Sequence, residues 1–370
     1  MSTHVNVPAP IGGLMKKRGL FVTLVERERV FLALVATALV VVGLTYPYAG
    51  IARWVGFLIA GYSAVANDSV QTLGTFIGSN RDRPWWQLWA WIGGIFLLTA
   101  GYSWMSYGGD VTFQRLASKG FETTPTSFTY LQVAAPIVLL LLTRAGIPVS
   151  TTFLILTCFA TTSSGVGKVL LKSFAGYGVA FVTAMVVWLA VSRAFDRLQQ
   201  NGPPARVWRV AQWCTTGALW SVWLMQDAAN VAVYLPRTLS VGEFVAFAGV
   251  IFGGLGLLFK IGGERVQRVV DEKARITDIR AATIVDLVYA IVLYVFKIHS
   301  KIPMSTTWVF VGLLAGREIA MTFRGASGTG MKNALRLAGK DLFYVTIGLV
   351  VSVALALAAN DAFAQSLLGD

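Results

Sequence analysis

Long apolar segments separated by short polar ones fill most of the chain, and two of the apolar segments carry a polar interruption. The first interruption is Asn-Asp-Ser-Val-Gln at 67–71, between apolar runs at 54–66 and 73–77. The second is Gln-Asp-Ala-Ala-Asn at 226–230, inside the apolar run 210–235. A carboxylate at the centre of a membrane helix costs about 3 kcal/mol, so such interruptions indicate functional positions.

Each interruption is followed about 80 residues later by Pro-x-Ser-Thr-Thr, at 148–152 and at 303–307. Proline favours the first helical turn and Ser or Thr caps it, so each motif predicts a helix start inside the protein. The first-turn amides, the helix dipole and the hydroxyls can bind an anion, whereas the alternative is ordinary helix capping. Because the motif is duplicated, we favour anion binding. The predicted substrate residues are Ser150, Thr151, Thr152, Ser305, Thr306 and Thr307.

A buried aspartate beside an anion site would repel the anion unless the aspartate holds a cation or a proton. Carboxylate and amide oxygens suit a hard cation such as sodium, which would bind through Asp68 and Asp227. Alternation between charged and protonated aspartates would instead couple the protein to protons. A third interpretation is a structural hydrogen-bonded cluster. We predict that both aspartates also face the substrate, and that the coupling-ion site comprises Asn67, Asp68, Gln71, Gln226, Asp227 and Asn230.

The composition predicts an integral membrane protein, since 55% of residues are hydrophobic and 13% charged, with a mean hydropathy of +0.65. Two pairs of apolar runs are too short to cross the hydrocarbon core comfortably. They are 131–142 with 148–160, and 282–296 with 303–315. Each pair predicts a re-entrant helical hairpin whose tip is buried in protein or lines a cavity.

The order of these segments predicts an all-α polytopic membrane protein built from an inverted-topology repeat. Each half holds three full spans plus a hairpin that adds no crossings or two, so its number of crossings is odd and the second half inserts upside down. The predicted parts are a cytoplasmic N-terminus with an extra first helix (1–53), the first repeat (54–193), a cytoplasmic linker (194–209), the second repeat (210–363) and a tail (364–370).

The charge distribution predicts the orientation. The net charge is +13, and 22 of the 31 Lys and Arg residues fall in loops predicted to be cytoplasmic, against six in loops predicted to be outside. This bias predicts a multi-pass protein of a bacterial-type inner membrane with its N-terminus in the cytoplasm and its C-terminus outside. The confinement of the positive charge to these loops argues against nucleic-acid binding.

Other reactive features are sparse. The two cysteines lie in apolar surroundings, and no nucleophile and base occur at a recognisable spacing, so we predict no metal-cluster or cofactor site and no enzyme. Asp286, in the first arm of the second hairpin, is a proton site or a partner for Lys297 or a loop arginine. Arg237 is a residue of anion access or an interfacial snorkelling side chain, and we favour the latter. Embedded glycines such as Gly93, Gly249 and Gly253 predict close helix packing.

The duplicated motifs resemble those of the inorganic phosphate transporter (PiT) family, which includes sulfate permeases. The hallmark of that family is a duplicated Gly-Ala-Asn-Asp-Val-Ala-Asn with a later Pro-Ile/Val-Ser-Thr-Thr. The chain departs from it at Val65, where the family has Gly, and at Gln71 and Gln226, where the family has Asn. Phe153 and Trp308 occupy places where family members often have His.

The resemblance covers about residues 54–363 and implies a homodimeric symporter that takes up inorganic phosphate with sodium or protons. It implies cation and phosphate contacts at Asn67, Asp68, Asp227, Asn230 and the two Ser-Thr-Thr triplets. A sulfate permease of the same family is one alternative. An anion channel or a non-transporting anion sensor is an alternative from another class.

Overall fold

The structure is a computed structural model that describes residues 17–118, 120–160, 163–200, 204–262, 278–299, 305–325 and 330–368. Within these ranges the chain is helical and forms no β-strand. In chain order the α-helices are α1 (Lys17–Thr45), α2 (Ala49–Thr72), α3 (Gly74–Ser79), α4 (Trp85–Ser106), α5 (Arg115–Ser118), α6 (Tyr130–Arg144), α7 (Thr151–Leu154), α8 (Ser163–Gln200), α9 (Arg206–Ala232), α10 (Val241–Leu257), α11 (Ile279–Leu293), α12 (Thr306–Phe323), α13 (Met331–Ala359) and α14 (Asp361–Leu368).

Seven of the described helices are long and apolar enough to cross a membrane, namely α1, α2, α4, α8, α10, α11 and α13. They include α11, which contains most of the run 282–296 that was predicted to be too short, and they do not include α9, which contains most of the run 210–235. These helices confirm the prediction of an all-α, multi-pass membrane protein. Only 11% of the apolar window in α1 is buried inside the protein. This helix therefore lies at the periphery, where its apolar side chains suit lipid.

Reciprocal caps fix the starts of two of the helices. At α6 the Thr129 side chain accepts a hydrogen bond from Gln132 N, while the Gln132 side chain bonds back to Thr129 N. Ser240 and Glu243 form the same capping box at the start of α10. Each box satisfies amides that have no partner in the first helical turn, and so sets where the helix begins.

The predicted span at 54–77 is divided between α2 and α3. The Thr72 hydroxyl donates to Asp68 O at 2.8 Å, and Gly74 opens the next helix. Back-bonding by a threonine and the low helix propensity of glycine both favour a break at this point. The acidic motif therefore lies in the last turns of α2.

The two predicted hairpin pairs differ in length. In the first pair, α7 has only four residues and gives way to a 3₁₀ turn, Leu156–Phe159, where the Thr157 hydroxyl bonds back to Phe153 O. In the second pair, α11 continues in a π-helical turn, Tyr294–His299, and α12 has 18 residues. The tip of this second pair, including Pro303, lies outside the described residues.

The closing segment also differs from the prediction. The apolar run 342–363 predicts one closing helix, whereas α13 begins at Met331 and ends at Ala359. The side chain of Asn360, which follows it, donates to Ala160 O at 2.6 Å, and α14 begins at the next residue. Asn360 leaves helical geometry to make this contact, so the segment is two helices and not one.

Helix contacts recur in matched pairs between the two halves of the chain. The helix α2 packs on α6, and the corresponding α9 packs on α11. The helix α4 packs on α9, and the corresponding α10 packs on α2. In the same way α8 packs on α12, and α13 packs on α7. The two acidic helices α2 and α9 also contact each other, so both interruptions lie at the centre of the bundle.

Glycines allow the closest of these contacts. A Cβ added to Gly312 would lie 2.5 Å from Tyr177 O, and one added to Gly316 would lie 2.1 Å from Phe181 O. The helix α12 therefore meets the backbone of α8 directly. The prediction for the other embedded glycines holds at Gly93, whose added Cβ would meet the Phe252 ring at 2.4 Å. It also holds at Gly256, whose added Cβ would meet the Trp89 ring at 3.1 Å, but it is wrong at Gly249 and Gly253, where nothing lies within 4 Å.

Candidate functional site

The first acidic motif lies near the end of α2, against the start of α7. Thr151 Oγ1 is 3.0 Å from each carboxylate oxygen of Asp68. Asn67 Nδ2 donates to Asp68 Oδ1 and to Val149 O, both at 2.9 Å, and Asn67 Oδ1 accepts from Thr143 Oγ1 at 3.1 Å. Asp68 is only 2% exposed. Hydroxyl and amide donors therefore replace water around this carboxylate.

The second acidic motif lies on α9 and reaches the next residue of the same triplet. Thr152 Oγ1 is 3.3 Å from Asp227 Oδ1 and 3.2 Å from Asn230 Oδ1. Asn230 Nδ2 donates to Asp227 Oδ1 at 3.0 Å, and Asp227 is 2% exposed. Consecutive threonines of the first triplet thus contact two acidic motifs whose aspartates are 159 positions apart in the sequence.

The second Ser-Thr-Thr triplet meets the first at its backbone. Thr307 Oγ1 donates to Val149 O at 3.1 Å, and Val149 precedes the first triplet directly. Tyr289, on α11, donates from its hydroxyl to Thr306 O at 3.0 Å. The structure therefore brings together both acidic motifs and both triplets. We call this set, comprising Asn67, Asp68, Gln71, Ser150, Thr151, Thr152, Gln226, Asp227, Asn230, Ser305, Thr306 and Thr307, the candidate site.

Both triplets begin a helix, as predicted, and the serines are the caps. Ser150 Oγ accepts from Phe153 N at 3.4 Å, and Ser305 Oγ accepts from Trp308 N at 3.5 Å. The capping interpretation thus accounts for the serine side chains, but not for the threonine contacts with the acidic motifs. Of the two helices that begin at the triplets, only α12 is long enough to have a substantial helix dipole, because α7 has four residues. At the first triplet, polar contacts come from side chains and individual amides instead.

Two glutamines supply polar atoms with no protein partner. Gln71 is 6% exposed and Gln226 is 3% exposed. The side-chain oxygen of each is buried and has no hydrogen-bond partner among the described residues. A buried acceptor without a donor is costly, and a cation offers such an oxygen a favourable contact. The residues present therefore fit a small hard cation beside the aspartates.

Arg237 binds backbone carbonyls of two segments of the chain. Its guanidinium donates to Phe121 O at 2.7 Å, to Thr123 O at 2.9 Å and to Leu235 O at 2.8 Å. Burial lowers the pKa of Arg237 to about 10, and the charge of Asp110 opposes this change. The side chain fastens the loop before α6 to the end of α9.

Arg115 is a cation near the site that the sequence pattern did not single out. It opens α5, in the loop between α4 and α6, directly after Phe113 and Gln114, whose φ values are 53° and 56°. Left-handed backbone is uncommon for such residues and persists only where the surroundings enforce it. Burial lowers the pKa of the Arg115 guanidinium, and the charge of Asp227 opposes this change. A loop thus brings a partly buried cation near the second acidic motif.

Comparison with known proteins finds no match, since no family model, no curated protein and no solved structure is similar to this chain. The resemblance to the phosphate transporter family therefore depends on the duplicated motifs alone. The geometry of the candidate site provides a separate line of argument about function.

Proposed function

We propose that the protein is a secondary active symporter that carries inorganic phosphate across a cell membrane together with sodium ions or protons. One observation carries the proposal: Thr151 and Thr152 contact Asp68 and Asp227 respectively, and Thr307 bonds to the backbone just before that triplet. Donors suited to an oxyanion and ligands suited to a coupling ion are thus interleaved at one place.

The chemistry of an oxyanion explains this interleaving. An anion that leaves water needs donors to replace its hydration, and threonine hydroxyls and the first-turn amides of α12 provide them. Two unneutralised aspartates would repel the anion, whereas aspartates holding a cation or a proton would not. Binding of the anion therefore favours binding of the coupling ion, and this mutual dependence is the basis of symport.

The packing supports a scaffold built from an inverted repeat with two re-entrant helix pairs. The matched contacts of α2 with α6 and of α9 with α11 are those expected when the halves are related by a pseudo-two-fold axis. The sequence predicts an odd number of crossings in each half, and with an odd number the axis would lie in the membrane plane. Rocking of one group of helices against the other would expose the candidate site to each side in turn.

Phosphate is favoured over sulfate by a difference in protonation. At neutral pH phosphate retains a proton that it can donate to a carboxylate, whereas sulfate has none. Asp68 already accepts from Thr151 and from Asn67, and a protonated oxyanion at this position would add a further donor to a buried acceptor. A sulfate permease would need both aspartates to be covered by cations or protons throughout the cycle.

The test of the proposal is uptake of radiolabelled phosphate and sulfate into proteoliposomes, with the sodium and pH gradients varied independently. We expect phosphate to accumulate above its external concentration when one of these gradients is imposed. Flow of anion only down its own gradient would indicate a channel. Anion binding without uptake would indicate a sensor, and accumulation of sulfate alone would indicate the permease.

The orphaned glutamine oxygens give a prediction about the coupling ion. Gln226→Leu and Gln71→Leu each remove one cation ligand, and losing a contact with a charged group costs about 2 kcal/mol. If sodium is the coupling ion, we expect the sodium concentration for half-maximal uptake to rise roughly 30-fold. Gln365→Leu, which changes an exposed glutamine outside the candidate site, is the control. An unchanged sodium dependence in both variants would exclude these oxygens as sodium ligands.

Arg115 gives a second prediction at this site. Arg115→Gln removes a partly buried positive charge, and we expect the KM for phosphate to rise roughly 10-fold or more, since hydrogen bonds from charged groups contribute about 1.5–3 kcal/mol. Arg115→Lys keeps the charge and should lose less. Arg53→Gln, which removes a different cation of the face predicted to be outside, should leave KM unchanged. Equal effects of Arg115→Gln and Arg53→Gln would refute a specific role for Arg115.

A further inference from the structure

Asp286 is a third buried carboxylate and does not belong to the candidate site. It lies on α11 and is 1% exposed. Thr75 Oγ1, on α3, donates to Asp286 Oδ1 at 2.6 Å, and Thr216 Oγ1, on α9, donates to Asp286 Oδ2. Each carboxylate oxygen thus accepts a hydroxyl from a different helix, and the helix of each hydroxyl also packs on α11.

No charged side chain balances Asp286 within the described residues. The helix α3 and the described side chains of α8 contain no charged group. At the start of α11, Asp278 and Arg280 pair with each other at 2.7 Å, while Arg317 on α12 lies 5.5 Å from the Trp188 ring centre. The charged or titratable side chains on the described parts of the helices around Asp286 are Tyr177 on α8, Arg206, Arg209, Cys214 and Asp227 on α9, Arg317 and Glu318 on α12, and Asp278, Arg280, Tyr289, Tyr294 and His299 on or beside α11.

A row of polar side chains connects Asp286 with one end of the bundle. Gln212 Nε2 donates to Thr216 Oγ1 at 3.4 Å, and Gln212 Oε1 accepts from Asn80 Nδ2 at 2.7 Å. Asn80 Oδ1 in turn accepts from Trp213 Nε1 at 2.9 Å. We call Asp286, Thr75, Thr216, Gln212 and Asn80 the Asp286 network.

The network ends beside a cavity that opens to the surface. A cavity of about 700 Å³ is lined by residues that include Ser79, Arg83, Arg206, Arg209 and Asp278. Ser79 is the neighbour of Asn80, and Arg209 lies one helical turn before Gln212. The rim residues Arg83 and Arg206 are exposed. These loops belong to the face predicted to be cytoplasmic, so water on that side comes within a short distance of the network.

The contacts of Asp286 suit a proton better than a metal ion. Both carboxylate oxygens already accept hydroxyl donors at close range, so a metal ion would have to displace those hydrogen bonds. A proton needs no such space, because a threonine hydroxyl can rotate from donating to accepting. Burial penalises the charged form of a carboxyl group, whereas donors to its oxygens favour that form. A group under these opposing influences can both take up and release a proton.

We propose that Asp286 is a proton-exchange site that is loaded from and emptied into this cavity during transport, by water that enters along the Asp286 network. In the loading step a hydronium ion from the cavity transfers a proton to one carboxylate oxygen and becomes water. The carboxyl O–H then donates to the threonine hydroxyl that formerly donated to it, and the net charge of the site changes from −1 to 0. The inference rests on the proposed transport function and names one position at which that function is linked to protons.

Infrared spectroscopy of the full-length protein in lipid vesicles tests the site directly. The carbonyl stretching band of a protonated carboxyl group is followed while the pH is varied. We expect a pH-dependent band in the wild type that persists in Asp361→Asn, which changes an exposed aspartate outside the Asp286 network, and that is lost in Asp286→Asn. Thr75→Val, which keeps the carboxyl group but removes one donor to its charged form, should retain the band with a midpoint at higher pH.

Measurements of phosphate uptake test whether Asp286 takes part in transport. We expect the pH profile of phosphate uptake to lose one titration step in Asp286→Asn and to keep it in Asp361→Asn. An unchanged band in Asp286→Asn, or a band that responds to sodium and not to pH, would overturn the proposal, as would an unchanged pH profile. If Asp286→Asn does not fold, Thr75→Val tests the proposal: a band midpoint that does not move to higher pH would overturn it. The spectroscopic arm requires no uptake, so failure of the transport function and failure of this site give different results.

Discussion

Uptake of phosphate should fall by more than about 100-fold in Asp227→Asn and equally in Asp68→Asn, while both proteins remain folded. Asparagine keeps the size of aspartate and an oxygen that can accept from Thr152 or Thr151, so the local packing survives. It lacks the charge that would hold a coupling ion. Removal of one partner from a buried charged pair costs about 3–5 kcal/mol, and that loss corresponds to at least this factor in rate or affinity.

The measurement is gradient-driven uptake in proteoliposomes, with the amount of folded protein checked by gel filtration. Asp361→Asn is a matched control, because Asp361 opens α14 and has no contact with the candidate site among the described residues. Wild-type uptake in both aspartate variants would contradict the role of the acidic motifs. A loss confined to one of them would show that only one half of the chain holds the coupling ion.

The second large effect is expected from Gly316→Leu, which should abolish stable folding. A Cβ at this position would lie 2.1 Å from Phe181 O and 2.9 Å from Phe181 C. Backbone atoms cannot rotate away as a flexible side chain can, so α12 would have to separate from α8. Overpacking of this kind costs about 3 kcal/mol or more. The fraction of monodisperse protein after heating in detergent measures the effect.

Gly253→Leu is the control for this substitution. Gly253 also lies in an apolar helix, but nothing is found within 4 Å of its added Cβ, so its stability should match the wild type within about 1 kcal/mol. Equal stability of both variants would mean that α12 and α8 are not in backbone contact. Since α12 begins with the second triplet, its displacement would also move Thr307 from Val149.

The acidic motifs could be predicted from the sequence because a carboxylate in an apolar run is conspicuous. Asp68 and Asp227 are separated by 159 positions, and only their shared order with the two triplets indicated that they meet. The hydroxyl contacts that join them arise from tertiary packing. No local pattern could show that Thr151 contacts one aspartate and Thr152 the other.

The rest of the fold was harder to predict for identifiable reasons. The apolar run 148–160 resembles a short helix, but back-bonding by Thr157 ends α7 after four residues. Arg115 lies in a polar loop. The left-handed backbone at Phe113 and Gln114 could not be predicted, because these residue types normally avoid that conformation. Glycine spacing alone did not distinguish Gly316, which contacts backbone, from Gly253, which does not.

The adjacency of Thr151 and Thr152 has a mechanical consequence. Neighbouring α-carbons are about 3.8 Å apart across a rigid peptide plane. The acidic motifs of the two halves are therefore linked through a single peptide unit. A displacement of either aspartate should therefore also displace the other. Independent opening of the halves is therefore disfavoured, and the cycle should advance in discrete, all-or-none steps.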